Sequence, residues 1–292
     1  VFQIEIECQN ADVDVLSELL EEAGSLSQIL TDKYDNAILE PELGTTPLWP
    51  DIVFQALFAS KADLDAALKH ILAELPHLTC HTSKLPDKDW ERVCLDDFKP
   101  LHFGKNLWIT PSWLTPPEPG AVNLILDPGL AFGTGTHTTT SLCLEWIEQT
   151  TMADKNIIDY GCGSGIIALA ALKLGARHAY AVDIDAQALQ ASQQNAALNS
   201  IDETSLTTGF PDTLKTKADI LIANILLSPL LTLKESFSQL VKEDGMLVIS
   251  GILKEQAADL IAAYKPYFKP VLTLHKEDWA LLAFKPKEQA DL

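Results

Sequence analysis

Three glycines in the segment DYGCGSGI have the spacing of a ligand-binding turn. Gly161, Gly163 and Gly165 follow a short apolar run, NIIDY, and precede an apolar helical pattern. Glycines at such a turn let the backbone approach a ligand closely, and the helix that follows presents unpaired N–H groups there. A dinucleotide fingerprint, GxGxxG, needs its third glycine at position 166, where this chain has Ile166. The turn therefore predicts a ligand other than a dinucleotide.

Acidic residues before and after the turn complete this predicted site. Asp159 stands two positions before Gly161, and Asp183, in the segment AVDID, lies 18 positions after Gly165. A carboxylate at the end of the second strand can accept hydrogen bonds from both hydroxyls of a ribose. The pattern predicts a nucleoside without a pyrophosphate, and the alternative is a glycine turn that only caps a helix. We expect Asp185 to cap the helix that follows.

A second segment, DPGLAFGTGTHTTTS at residues 127–141, is rich in glycine and threonine. It cannot build a core, because glycine has no side chain and is costly to order. We expect it to meet the turn at 159–165, since ligands bind at the carboxyl ends of strands in open α/β sheets. Thr138 and Thr139 are expected to cap the next helix, and His137 to bind, to act as a base or to order the loop by a hydrogen bond.

One amide side chain, that of Asn224, ends the apolar run ADILIAN. Its oxygen and the adjacent backbone carbonyls can accept the hydrogens of an amine and so orient the amine lone pair. The alternative for asparagine at a strand end is a turn residue.

Short apolar runs alternate with helical patterns from residue 121 onward. The runs NIIDY, HAYAVDI, ADILIAN and GMLVISG are typical of buried strands. Such alternation predicts a mostly parallel sheet with helices on both faces. The last two runs, PVLTLHKED and WALLAFK, lie too close together for a helical crossover, so they are expected to pair antiparallel.

The first part of the chain has a different order of elements. Alternating and helical patterns follow one another as β-α-β-β-α-β over residues 1–85, which predicts a small ferredoxin-like domain. Residues 86–120 contain three of the six tryptophans and six of the sixteen prolines, and are predicted to form a linker. The predicted fold is therefore α/β, with a small α+β ferredoxin-like domain, a linker, and a Rossmann-like domain over residues 121–292.

Charge is distributed unevenly along the 292 residues. The chain has 41 acidic and 21 basic residues, and residues 1–85 alone have 15 and 4, a net charge of −11. Such a domain repels nucleic-acid phosphates and anionic membranes and favours a basic partner, although simple solubility is the alternative. With no signal peptide or membrane span in the pattern, we expect a cytoplasmic protein. His77, Cys80 and His81 are too few ligands for a tight metal site, so no metal is expected.

In order and spacing, the segments DPGLAFGTGTHTTTS, DYGCGSG, VDID and ANIL resemble the motifs of one family of class I S-adenosylmethionine-dependent methyltransferases. This is the PrmA family of ribosomal protein L11 methyltransferases. The resemblance covers essentially the whole chain, and the glycine-threonine segment is its most specific part. The chain departs from the family at Thr138, where proline is common, and at Leu227 and Ser228, where small residues are usual.

The resemblance implies transfer of methyl groups from S-adenosylmethionine to lysine side chains and the N-terminal amine of ribosomal protein L11. The acidic N-terminal domain would bind that protein, and we expect a monomer without direct contact to nucleic acid. Asn224 would orient the acceptor amine. The residues implied to bind the cofactor are Phe132, Gly133, Thr140, Gly161, Gly163, Asp183 and Asn224.

Other functions remain open at this point. A methyltransferase of another protein, an RNA or a small amine would share the C-terminal part, although the net charge of −20 disfavours RNA. A nicotinamide-dependent oxidoreductase would share the sheet, but Ile166 opposes it. A catalytically inactive, protein-binding relative is opposed by Gly161, Asp183 and Asn224, which are all present.

Overall fold

The structure is a computed structural model that describes residues 1–36, 38, 44–86, 98–127 and 135–287. It divides into two units, Val1–Cys94 and Leu95–Leu292. Each unit has a hydrophobic core of its own. Within the described ranges, no helix is both long and apolar enough to span a membrane.

The first unit has the β-α-β-β-α-β order that the sequence predicts. Its elements are β1 (Phe2–Gln9), α1 (Val13–Glu22), β2 (Ser27–Asp32), β3 (Asp51–Phe58), α2 (Lys61–Glu74) and β4 (Thr79–Lys84). The strands form an antiparallel sheet in the order β2-β3-β1-β4. Alternate residues of β1 and β3 are buried against both helices, because a strand turns every second side chain to the same face.

The second unit begins with a small three-stranded sheet. Its strands are β5 (Leu101–Phe103), β6 (Leu107–Thr110) and β7 (Val122–Ile125), with β5 antiparallel and β7 parallel to β6. Strands β5 and β6 lie in the segment 86–120, which the sequence analysis assigned to a linker. These strands are three and four residues long, so their alternating pattern is hidden among prolines and charges. Their apolar side chains nevertheless join the core of the second unit.

The main sheet of the second unit has seven strands. They are β8 (Asn156–Tyr160), β9 (His178–Val182), β10 (Leu206–Gly209), β11 (Ala218–Asn224), β12 (Val241–Leu253), β13 (Phe268–Lys276) and β14 (Trp279–Pro286). The strand order is β10-β9-β8-β11-β12-β14-β13. The first five are parallel, and β14 pairs antiparallel with both neighbours, which confirms the predicted antiparallel end of the sheet.

Helices cover both faces of this sheet, as predicted. On one face lie α3 (Thr138–Gln149), α4 (Ile166–Lys173) and α5 (Ala186–Leu198), and on the other lie α6 (Leu227–Leu240) and α7 (Ala257–Tyr264). Because β8 to β12 run parallel, the residues that follow each strand meet at one edge of the sheet. The sequence-predicted residues that the structure describes come together at this edge.

Candidate cofactor and acceptor site

The turn after β8 requires glycine for two reasons. Gly161, Gly163 and Gly165 have φ angles of 80°, 52° and 77°, in the left-handed region that other residues rarely adopt. The space for a side chain is also limited at two of these positions. A Cβ at Gly161 would collide with the side chain of Ile225, and one at Gly165 would lie 2.7 Å from the hydroxyl oxygen of Ser192.

Hydrogen bonds hold this turn in place. The backbone N–H groups of Gly161 and Cys162 both donate to the carbonyl of Val182, at 2.8 and 3.0 Å. From α5, the Ser192 hydroxyl donates to the carbonyl of Gly163 at 2.9 Å, and the Asn195 amide donates to the carbonyl of Ser164 at 2.8 Å. Neither of these α5 residues was predicted from the sequence. The sequence feature that could have identified them is a pair of polar residues three positions apart, on the face of α5 that is directed toward the turn.

Asp183 lies at the end of β9, with its carboxylate directed at the same turn. One oxygen accepts from the N–H of Gly163 at 3.0 Å, and the other accepts from the N–H of Asp185 at 3.0 Å. Each carboxylate oxygen has two lone-pair sites, so one site on each remains for a ligand hydroxyl. Asp185 caps α5 by accepting from the N–H of Gln187 at 2.8 Å, which confirms its predicted role.

Two exposed apolar side chains flank Asp183. Ile184, the next residue, is 87% exposed, and Phe210, directly after β10, is 45% exposed. The two follow neighbouring parallel strands, so they stand at the same edge of the sheet. Apolar surface beside a carboxylate with available lone-pair sites is suited to the faces of a nucleobase. Sequence reasoning did not identify these residues, because one exposed Ile or Phe has no distinctive pattern.

Asp159 lies near the end of β8 and is fully buried. Its Oδ2 atom accepts from the N–H of Ala168 at 3.0 Å, whereas its Oδ1 atom has no hydrogen-bond partner among the described residues. Burial raises the pKa of Asp159 to about 7, against the opposing effect of the Ala168 hydrogen bond, and the nearby charge of Asp183 adds to the rise. A buried carboxylate with an unpaired oxygen is suited to a cationic ligand group.

Thr140 and Asn224 are brought together from positions 84 residues apart. The Asn224 Nδ2 atom donates to the Thr140 hydroxyl oxygen at 3.3 Å. Thr140 is buried in the first turn of α3, and Asn224 is the last residue of β11. The bond to Thr140 orients the amide and leaves the Asn224 oxygen available to accept a hydrogen bond from another molecule.

His137, rather than Thr138 or Thr139, caps α3, so the expectation for the two threonines is wrong. The His137 Nδ1 atom accepts from the N–H of Thr139 at 3.3 Å and lies 2.8 Å from its hydroxyl oxygen. The ring also meets Trp279 edge-on, with centroids 4.9 Å apart. Burial lowers the pKa of His137, and the charge of Glu277 opposes that shift. The imidazole nitrogen thus takes the role that serine or threonine usually has at a helix start.

The structure does not describe every predicted site residue. Phe132 and Gly133 lie outside the described residues. Gly135, at the end of the same segment, lies against α4, since a Cβ there would be 3.4 Å from the Ile166 side chain. In the described part of the chain, no three His, Cys, Asp or Glu side chains group in a way that could hold a metal ion.

Strand order and site geometry together define a class of protein. The sheet has five parallel strands, with the glycine turn after its central strand and an acidic residue after the neighbouring one. This is the architecture of class I S-adenosylmethionine-dependent methyltransferases. A family model described as "Ribosomal protein L11 methyltransferase (PrmA)" matches residues 1–287, and the chain belongs to this family.

Individual relatives agree with the family match. The chain is 56% identical over 287 residues to a ribosomal protein L11 methyltransferase of Legionella pneumophila subsp. pneumophila strain Philadelphia 1, covering 98% of this chain and 99% of that one. It is 46% identical over 290 residues to one from Shewanella sp. strain ANA-3, with the same coverage. A crystal structure of the ribosomal protein L11 methylase from Lactobacillus delbrueckii subsp. bulgaricus is similar with a TM-score of 0.61 and 33% identity, covering 65% of this chain and 100% of that one. The predicted family, fold class and methyl donor are thus confirmed.

Proposed function

We propose that this chain transfers methyl groups from S-adenosylmethionine to ribosomal protein L11, at lysine side chains and at the N-terminal amine. The observation that carries the proposal is the Asn224 amide at the end of β11, oriented by Thr140. Family membership and the names of the relatives supply the substrate. Because the substrate is a ribosomal protein, we place the reaction in the cytoplasm.

The nucleoside half of S-adenosylmethionine fits the described residues. Asp183 would accept both ribose hydroxyls, because each of its oxygens keeps a lone-pair site. Ile184 and Phe210 would contact the adenine ring. The positive φ angles of Gly161 and Gly163 and their lack of side chains would let the backbone of this turn approach the ligand.

The methionine half fits the other end of the turn. The unpaired oxygen of buried Asp159 is suited to a cationic amino group. The Thr140 hydroxyl and the N-terminal end of α3 are suited to a carboxylate, because a helix start has unpaired N–H groups and a positive dipole. Phe132 and Gly133 belong to this half of the site by resemblance.

When bound, S-adenosylmethionine would supply an activated methyl group, which passes to an attacking amine in line as the S–CH3 bond breaks and S-adenosylhomocysteine leaves. The task of the protein is to position and desolvate that amine. Positioning contributes roughly 7–11 kcal/mol, so a covalent intermediate is not required. The amine must also be neutral, which at pH 7 costs about 4.6 kcal/mol for lysine and about 1 kcal/mol for an α-amino group. A pocket that excludes water lowers both costs by disfavouring the ammonium form.

Asn224 would hold the acceptor amine. Its amide is oriented by Thr140, and its oxygen would accept a hydrogen of the amine. This bond directs the nitrogen lone pair away from Asn224 and toward the methyl group. No proton acceptor of high basicity is required for this step, since the neutral amine already has its lone pair free.

The acidic first unit would bind ribosomal protein L11. Residues 1–85 have a net charge of −11, which attracts a basic partner and repels nucleic acid. We propose a monomer that contacts L11 directly and does not contact RNA. Another protein, an RNA or a small amine is the alternative acceptor.

The experiment is a transfer assay with methyl-labelled S-adenosylmethionine. Purified ribosomal protein L11, intact ribosomes and ribosomal RNA serve as parallel acceptors, and mass mapping then locates the label. We expect label on lysine residues and the N-terminus of L11. Label on RNA, or on none of the acceptors despite cofactor binding, would contradict the assigned substrate.

A variant tests the role of Asn224. Asn224→Ala is expected to lower turnover by about 100-fold, because it removes a preorganised hydrogen-bond acceptor. Most of the affinity for S-adenosylhomocysteine should remain. Asn106→Ala is the matched control, since Asn106 is an exposed asparagine near the opposite end of α3, where its N–H donates to Glu148. Normal turnover in Asn224→Ala would remove Asn224 from the mechanism.

A further inference from the structure

A turn far along the chain contacts the first turn of α3. The two-residue turn between β13 and β14 presents the Glu277 carboxylate to the Thr138 hydroxyl, which donates to Oε2 at 2.6 Å. We propose that Glu277 is a positioning residue, which fixes the first turn of α3 and thereby the place of Thr140 in the cofactor site. The inference rests on the proposed binding of the cofactor by Thr140.

The backbone of Glu277 has a conformation that is unfavourable for its long side chain. Its φ angle is 53°, in the left-handed region where glycine is favoured and a long side chain is strained. Glycine would fit this turn without that strain. The compensation in the structure is the hydrogen bond from Thr138, which is short and charge-assisted.

The neighbours of Glu277 hold the same region of α3. Lys276 donates to the Ser141 hydroxyl at 2.7 Å and to the Glu145 carboxylate at 2.8 Å. Trp279 packs edge-on against the imidazole ring of His137, which caps α3. Asp278 anchors the turn to Lys254 through an ion pair of 2.8 Å. Each of the four residues 276–279 therefore has a contact, and three of these residues, Lys276, Glu277 and Trp279, contact α3 or its cap.

Geometry connects Thr138 with the cofactor site. Successive residues of a helix are rotated by about 100°, so Thr138 and Thr140 point to nearly opposite sides. Thr138 faces the turn, and Thr140 faces Asn224. On the buried side, the Ser250 hydroxyl lies between the carbonyls of Thr139 and Ala280, at 3.4 and 3.1 Å. The first turn of α3 is thus fixed from both sides, and loss of one contact would let it rotate.

The experiment compares five single variants and one double variant by calorimetric binding of S-adenosylhomocysteine, thermal unfolding without ligand, and steady-state kinetics. Glu277→Gly removes the carboxylate and relieves the backbone strain. Glu277→Gln keeps an acceptor oxygen, and Thr138→Val removes the donor. Asp154→Gly is the matched control, because Asp154 is also an exposed acidic residue with a positive φ, 63°, but lies beyond the other end of α3.

We expect Glu277→Gly to weaken S-adenosylhomocysteine binding about tenfold, and to raise KM for the methyl donor to a similar extent, while the unfolding temperature stays equal or rises. Glu277→Gln should restore most of the affinity. Thr138→Val should weaken binding as much as Glu277→Gly, and combining the two should add little. Asp154→Gly should bind normally.

Two results would overturn the inference. One is native affinity in Glu277→Gly, and the other is full additivity of Glu277→Gly with Thr138→Val. The variant Thr140→Val distinguishes failure of the positioning role of Glu277 from failure of the proposed cofactor site. If Thr140→Val binds normally, the assignment of Thr140 itself is wrong, whereas weak binding by Thr140→Val with normal binding by Glu277→Gly rejects only the positioning role.

Discussion

The stability of the protein without cofactor should depend on pH through one residue of the site, Asp159. This carboxyl is fully buried, and one of its oxygens has no partner among the described residues. The variant Asp159→Asn has nearly the same shape but cannot ionise. Comparison of the two proteins at several pH values isolates the ionisation of Asp159, because all other titrations cancel in the difference.

The magnitude follows from the pKa. Burial raises the pKa of Asp159 from its ordinary value of 3.8 to about 7 in the folded protein. Between these values the unfolded chain has released the proton while the folded protein retains it, so folding stability falls as pH rises. At 1.36 kcal/mol per pH unit the full loss is about 4 kcal/mol, of which about 3 kcal/mol falls between pH 5 and pH 8. Above the folded pKa the loss is complete, and stability no longer depends on this group.

The assay is urea unfolding of both proteins at pH 5, 6, 7 and 8 without cofactor. We expect Asp159→Asn to gain about 3 kcal/mol relative to the native protein between pH 5 and pH 8. If Asp159 also binds the amino group of the cofactor, the same variant should bind S-adenosylhomocysteine about tenfold more weakly at pH 8. A constant difference in unfolding free energy across this pH range would refute the reasoning, because it would mean that Asp159 ionises with an ordinary pKa.

Four further variants test the site and the role of the first unit. Asp183→Asn should weaken S-adenosylhomocysteine binding by about 10- to 100-fold, since a charged acceptor of two hydroxyls is lost, and unchanged binding in calorimetry would remove Asp183 from the site. Gly251→Ala should lower the unfolding free energy by about 1–3 kcal/mol and should also lower turnover. The new Cβ would lie 2.5 Å from the backbone oxygen of Ile225, the residue that follows Asn224. Gly175→Ala is the control, because Gly175 also has a positive φ, 100°, but a Cβ there would have its nearest contact at 3.8 Å. This variant should lose stability and keep turnover, and an equal loss of turnover in Gly251→Ala and Gly175→Ala would contradict the prediction. Deletion of residues 1–85 should leave S-adenosylhomocysteine binding intact and abolish methylation of ribosomal protein L11, and full activity on L11 would reject the proposed role of the first unit.

Much of the fold follows from local patterns in the sequence. The strands β8, β9, β11 and β12 are buried apolar runs, and such runs stand out between helices. The strand β10, with the sequence LTTG, was not predicted, because it is short and half polar. Strands β5 and β6 were missed for a similar reason, since neither is longer than four residues. Short strands form mainly because tertiary packing stabilises them, so local propensity does not reveal them.

Some features of the candidate site could likewise be predicted from the sequence, and others could not. Asp183 and the glycines were predicted because their roles follow from the backbone, which needs positive φ angles and an acceptor at fixed spacing. The capping role of His137 was not predicted, because helix caps are usually serine, threonine, aspartate or asparagine. Predicting the raised pKa of Asp159 requires knowing that the residue is buried and that one oxygen is unpaired, and both are tertiary facts.

Thr138 shows why sequence order limits such reasoning. In the sequence it stands in a threonine run before a helix, where a capping role was the natural interpretation. In the structure its hydroxyl donates to Glu277, 139 residues away. Glu277 in turn stands in an acidic turn, and its sequence context contains no sign of a positive φ. Each residue has an unremarkable local role, and only their contact gives either of them a part in the proposed cofactor site. A functional assignment from motifs therefore identifies the groups that meet the ligand, whereas the groups that hold them in position have to be found in the structure.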